Sequence, residues 1–147
     1  MYYFLCIVII SLTISWFDIT TRRIPNMALG ALLITGICFL LTADNHARVN
    51  GGVFIPLIVF SVGYVLSFAN VIGMGDVKLL SIGLLLCPVW MHVDMLYFTF
   101  FIGGIWGILW HYLLQKTTII KKIDNINEGI PYGIPVAVAM CIFTFVR

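Results

Sequence analysis

The sequence predicts an all-α membrane protein: a bundle of six transmembrane helices with both termini on the non-cytoplasmic side. Three observations predict it. The 147 residues are 62% hydrophobic and only 10% charged, with a mean hydropathy of +1.11, whereas a soluble domain averages about half apolar and a quarter charged. The apolar residues gather in six runs near the length a bilayer demands, roughly 20 residues with a range near 17 to 25. The basic residues between those runs collect on alternate loops.

The first span is Met1 to Phe17. It lacks a basic leading region and a small-x-small cleavage site, so it reads as a retained span and not a signal peptide. The second runs from about Met27 to Thr42. Between them stands Ile24-Pro25, and a residue before proline is turned away from helical geometry, which forces the chain to turn there. The third span covers about Val53 to Val71. The fourth runs from Val77 to about Val93, interrupted by Pro88. The fifth runs from about Met95 to Leu114, and its Gly103, Gly104 and Gly107 suit close helix contact. The sixth runs from about Tyr132 to Val146, behind the broken helix start Pro131, Gly133 and Pro135. Several spans are short, as expected for tilted helices with polar ends at the interface. No polar segment is long enough for a second domain, so residues 1–147 read as one.

The loops fix the expected orientation. Loops one, three and five, with their flanks, hold Arg22, Arg23, Lys78, Lys116, Lys121 and Lys122; the other face holds Arg48 and Arg147. Basic residues concentrate on the cytoplasmic side, which puts loops one, three and five there. A net charge of +2 is too small to suggest a nucleic-acid partner. The cysteines Cys6, Cys38, Cys87 and Cys141 form no CxxC pair and read as small buried hydrophobes. His46, His92 and His111 have no ligand spacing, and no Gly-x-Ser-x-Gly elbow occurs. No metal and no cofactor are expected.

The acidic residues divide in two. Asp44, Asp94, Asp124 and Glu128 fall in loops or at an interface, where solvation explains them. Asp18 closes span one and Asp76 opens span four, and an ionisable residue at membrane depth is costly and points to function. Each has a plain reading alone: Asp18 pairing with Arg22 four residues on, Asp76 capping its helix. Together, on one face of the bundle, they match a catalytic carboxylate pair. Two such groups share one proton, so one serves as general base on water and the other as general acid on a carbonyl oxygen. Gly73 and Gly75, just before Asp76, either permit an unusual backbone or let another chain approach closely. Helix polarity favours an anion at a helix start and disfavours one at a helix end, which points to Asp18 as the holder of the shared proton unless Arg22, Arg23 and Lys78 reverse it; the sequence does not decide between them.

Three motifs carry a family resemblance. Asp18 is followed by Arg23-Ile24-Pro25-Asn26. Gly73-Met74-Gly75-Asp76-Val77-Lys78-Leu79 forms a GxGDxKL segment. Pro131-Tyr132-Gly133-Ile134-Pro135 opens the last span. In this order, on six apolar runs, they resemble the type IV prepilin peptidases, membrane aspartic proteases of the GxGD type. The resemblance implies catalysis by Asp18 and Asp76, supported by the motif positions Pro25, Asn26, Gly73, Gly75, Lys78, Pro131 and Gly133. It implies removal of the basic leader of pilin-like precursors, typically after a glycine, at the cytoplasmic face of a bacterial inner membrane. Family members often carry an additional cytoplasmic region with paired CxxC motifs, linked to N-methylation. None is found in these residues, and the chain resembles the short catalytic-domain form of Flp/Tad-type and other small pilus systems. Taken without the resemblance, the aspartates also suit a proton- or cation-coupled transporter or channel subunit, or a structural subunit of a secretion machine. Substrate cleavage distinguishes these. The sequence does not identify the particular pilin, the oligomeric state or the substrate groove.

Overall fold

A computed structural model of the chain describes residues 2–21, 23–42, 52–114 and 130–145. Arg22, Asp44, His46, Arg48, Lys116, Lys121, Lys122, Asp124, Glu128 and Arg147 lie outside the described residues. Among the described residues there are six α-helices and no strand: α1 (Tyr2–Thr21), α2 (Asn26–Thr42), α3 (Phe54–Phe68), α4 (Met74–Leu86), α5 (His92–Leu109) and α6 (Gly133–Phe145).

The helix ends depart from the expected spans for local reasons. Helix α1 continues four residues past Phe17, so Asp18 is inside the helix and not beyond it. The Thr20 and Thr21 hydroxyls donate to the carbonyls of Trp16 and Phe17, at 2.9 and 2.8 Å. The chain then turns at Ile24-Pro25 as expected, and the Pro25 carbonyl accepts the amides of Ala28 and Leu29 to open α2. Helix α3 stops at Phe68, three residues short of Val71. Asn70 takes the left-handed conformation, φ 57°. Its amide bonds to Ser67 O and that of Val71 to Leu66 O, both at 3.0 Å, the paired bonds that close a helix behind a left-handed residue.

The expected fourth span is divided. Helix α4 ends at Leu86, Cys87 and Pro88 are extended, and Val89–Met91 form a 3-10 turn into α5. Proline cannot donate the amide that would continue α4. Helix α5 ends in a π turn, Trp110–Leu114. Helix α6 begins at Gly133, with Pro135 as its third residue, where a missing amide hydrogen forfeits no intrahelical bond.

Helices α1, α2, α4 and α6 close a ring in which each packs on the next; α3 lies against α4, and α5 against α6. Ile7 and Ile14 of α1, Leu32 of α2, Leu79 and Leu84 of α4, Met95 of α5 and Met140 of α6 fill the centre. Among the described side chains of α1, the buried ones are Ile7, Ser11, Ile14 and Asp18. Spacings of four, three and four put them on one helical face, and that face ends in the carboxylate.

Helix α1 runs opposite to α2, α4 and α6, whose starts gather at one end of the ring. The end of α1 meets the start of α6, and the start of α2 meets the start of α4. At the opposite end Phe4 of α1 meets Phe145 of α6 at a tilt, ring centroids 4.9 Å apart, and Phe98 of α5 meets Phe143 of α6 edge-on at 5.5 Å. The outward faces are apolar: Leu12 is 65% exposed, Phe54 73%, Val65 67% and Phe100 68%. Such a surface suits lipid and not water. Two helical stretches are long and apolar enough to cross a membrane, Phe4–Thr21 and Val89–Tyr112; Asn26–Cys38, Phe54–Phe68 and Gly133–Phe145 are shorter apolar helices. Cys87 is buried, as expected of the cysteines, but Cys6 and Cys38 are exposed on this apolar outer surface. His92 is packed in the interior, its Nε2 3.2 Å from Cys87 O. Asp94 is exposed, as expected.

Candidate active site

One end of the bundle gathers all three sequence motifs. Asp18 reaches it from the last turn of α1, the Ile24-Pro25 turn from the α1–α2 connection, Asp76 from the first turn of α4, and Gly133 from the start of α6. Asp18 is buried, 6% exposed, and its Oδ2 accepts the backbone N–H of Gly133 at 2.8 Å. A Cβ on Gly133 would stand 2.7 Å from that oxygen and 3.0 Å from Cγ. Only a glycine amide can approach this carboxylate so closely.

Asp76 does not cap its helix. The N-cap is Gly73, in extended backbone with φ −66° and ψ 132° and no side-chain cap bond, and Asp76 is the third residue of α4. A Cβ on Gly73 would lie 3.0 Å from Asp76 Oδ2, so Gly73 leaves room for the carboxylate. Gly75 does a different job. A Cβ there would come within 3.1 Å of Ile24 Cβ, so its lack of a side chain lets the α1–α2 turn lie against α4. Of the two roles open to these glycines, close approach is the one observed; the Gly73 backbone is ordinary.

Asp76 precedes the apolar run that begins at Val77 and sits at the rim of the bundle. Burial, with the negative charge of Asp18 adding to it, pushes its carboxyl from an ordinary 3.8 up to about 7. Both effects disfavour the charged form. Asp18 instead receives a backbone donor at the N-terminus of α6, where the helix dipole also favours an anion. Burial and the charge of Asp18 weigh against a charge on Asp76, whereas the polarity of its own helix favours one there. The terminus that meets Asp18 belongs to a helix 115 residues further along the chain.

The remaining motif residues surround this pair. Lys78 Nζ donates to Asn26 Oδ1 at 3.0 Å. Pro131 is fully buried. Three contributions carried no clear signal in the sequence. Ile24 is one, as the packing partner of Gly75. Tyr132 is another: its ring lies over α5, where a Cβ on Gly103 would be 3.3 Å from Cε1 and one on Gly107 3.7 Å from the hydroxyl. Those glycines seat Tyr132 and, through it, the adjoining Gly133 amide. The third is the Gly133 amide itself. Gly104 takes no part in close packing, contrary to expectation; a Cβ there would meet nothing within 4 Å. Among the described residues no cluster of three or more His, Cys, Asp or Glu could hold a metal ion.

The arrangement places two carboxyls in different surroundings, one accepting a backbone N–H and one raised by burial, at one rim of an apolar bundle. Compared with known families, residues 5–110 match the family model of the type IV leader peptidase family. No curated protein and no solved structure shows a match.

Proposed function

The chain belongs to the type IV leader peptidase family, and from that premise we propose that it is an aspartic endopeptidase that removes the basic leader of pilin-like precursors, with Asp18 and Asp76 as its catalytic pair. The observation that carries this reading is the asymmetry of the two carboxyls: Asp18 takes a backbone N–H from Gly133, while burial and Asp18 together hold a proton on Asp76 to about pH 7. An aspartic protease needs that division of labour.

The chemistry follows from it. Asp18 takes a proton from a water molecule, whose oxygen attacks the scissile carbonyl carbon while Asp76 gives its proton to the carbonyl oxygen. The resulting diol collapses as protonated Asp18 passes its proton to the leaving nitrogen, and the diol hydroxyl returns a proton to Asp76. The C–N bond breaks, the leader leaves with a new carboxylate, and the mature chain gains an amino terminus. Arg23 and Lys78 lie at the same end of the bundle as the pair, which supports a cytoplasmic site in a multi-pass inner-membrane protein with six spans and outside termini. A precursor whose apolar helix lies in the bilayer beside the bundle would present its leader junction at that rim.

Co-expression with a prepilin tests the reading. Wild type cleaves the leader, and Asp18→Asn and Asp76→Asn each abolish cleavage while still inserting in the membrane. Normal cleavage by either variant would rule out the paired mechanism and leave transport or a structural role.

A further inference from the structure

The family match gives Lys78 and Asn26 no role, and the sequence shows them only as motif positions. They are separated by 52 residues and joined by a hydrogen bond of 3.0 Å, the Lys78 ammonium donating to Asn26 Oδ1. Asn26 is the first residue of α2, and Lys78 follows Asp76 by two positions on α4. A second contact lies beside this one, where Ile24 packs over Gly75 so closely that a Cβ would stand 3.1 Å from it. Residues 24 and 26 of the turn thus meet residues 75 and 78 of the helix, and Asp76 lies between those two anchor points. On the other side, Asp18 rides the last turn of α1, which leads directly into Ile24 and Asn26.

We propose that the Lys78–Asn26 hydrogen bond is a latch that holds the α1–α2 turn on the start of α4 and thereby sets the gap between Asp18 and Asp76. Both are positioning residues, because neither touches the reacting atoms. The Ile24–Gly75 contact is apolar and sets how closely the turn approaches, but it leaves sliding along the helix open. A directional bond between the Asn26 amide oxygen and the Lys78 ammonium, though on an exposed surface, restrains that sliding. A shift of about 1 Å between catalytic groups is enough to cost roughly a hundredfold in rate.

This inference rests on the carboxylate pair proposed above, so the experiment carries Asp18→Asn and Asp76→Asn alongside. Cleavage of a purified prepilin by the full chain in detergent is measured for Asn26→Ala, Lys78→Met and the double variant. Each single variant lowers kcat by about tenfold or more with KM within about twofold, and the double variant is no slower than the slower single, because both remove one interaction. Asn26→Asp, which keeps the acceptor oxygen, and Lys78→Arg, which keeps a donor, recover kcat to within about threefold. A merely structural role would lower the melting temperature and would not be rescued selectively in kcat. Wild-type kcat in Asn26→Ala and Lys78→Met, losses that multiply in the double variant, or no rescue by Asn26→Asp would each overturn the latch. If those outcomes appear while the aspartate variants are inactive, the latch alone fails; if the aspartate variants cleave normally, the carboxylate pair fails with it.

Discussion

Replacing Gly133 by alanine tests the centre of the site with a single methyl group. That carbon would stand 2.7 Å from Asp18 Oδ2, whereas ordinary contact begins at 3.4 Å. The carboxylate or the start of α6 must therefore retreat by about 0.7 Å. A retreat along the hydrogen bond stretches it from 2.8 Å to about 3.5 Å, past the roughly 3.2 Å limit of a useful N–H···O bond. A hydrogen bond to a charged group contributes about 1.5–3 kcal/mol, and each 1.4 kcal/mol is about tenfold in rate. Cleavage of a prepilin should fall by roughly ten- to a hundredfold in kcat. The assay is leader removal by purified enzyme, run well below the melting temperature, since forcing a methyl into a packed site costs about 1–3 kcal/mol of stability. Gly104→Ala is the matched control, because its added carbon meets open space. Cleavage by Gly133→Ala within about twofold of wild type would refute the assignment of Gly133 as the donor that positions Asp18.

Further outcomes follow from the same geometry. Cleavage should decline as pH rises through about 7, where Asp76 gives up the proton it must donate, seen as the alkaline limb of kcat/KM; a rate flat to pH 9 would contradict this. The raised carboxyl also makes the folded state bind more protons than the unfolded between about 3.8 and 7, so the melting temperature should fall across that window and level off above it, and Asp76→Asn should lose the dependence. Gly103→Leu should push Tyr132 off α5 and slow cleavage through Gly133, while Gly104→Leu, one residue away and facing outward, should leave the rate unchanged. Gly63→Ala should lower the melting temperature, because its Cβ would come within 2.5 Å of Val77 Cγ1, and Val77→Ala should restore much of the loss by removing that carbon.

Much of the candidate site is legible in the residues because its proposed chemistry breaks the local rules. In a chain that is 10% charged, a carboxylate at each of two helix ends stands out, and the IPN, GxGD and PYG segments each interrupt an apolar run. The ends of the helices were less visible. Helix α3 closes on Asn70, a left-handed residue that apolar counting passes over, and the break between α4 and α5 falls at residues 87–91, ahead of the span end that hydropathy puts near Val93. Orientation of the glycines was hidden as well: Gly103 and Gly104 are equivalent by composition, yet one faces Tyr132 and the other faces outward.

By itself the sequence determined the helical class, the order of the motifs and the two candidate carboxyls, because hydropathy and rare charges are properties of single residues and their neighbours. Only the tertiary structure brought the Gly133 amide to Asp18 and set Asp76 under the charge of Asp18. Helices that are apolar on every side give no periodic signal for their inward face, so nothing local shows that Ile7, Ser11, Ile14 and Asp18 form the buried stripe of α1. Nor does anything local show that the N-terminus of α6 meets that stripe at Asp18. A proton's position depends on the field from every nearby group, and here the decisive donor and the decisive charge both come from other helices.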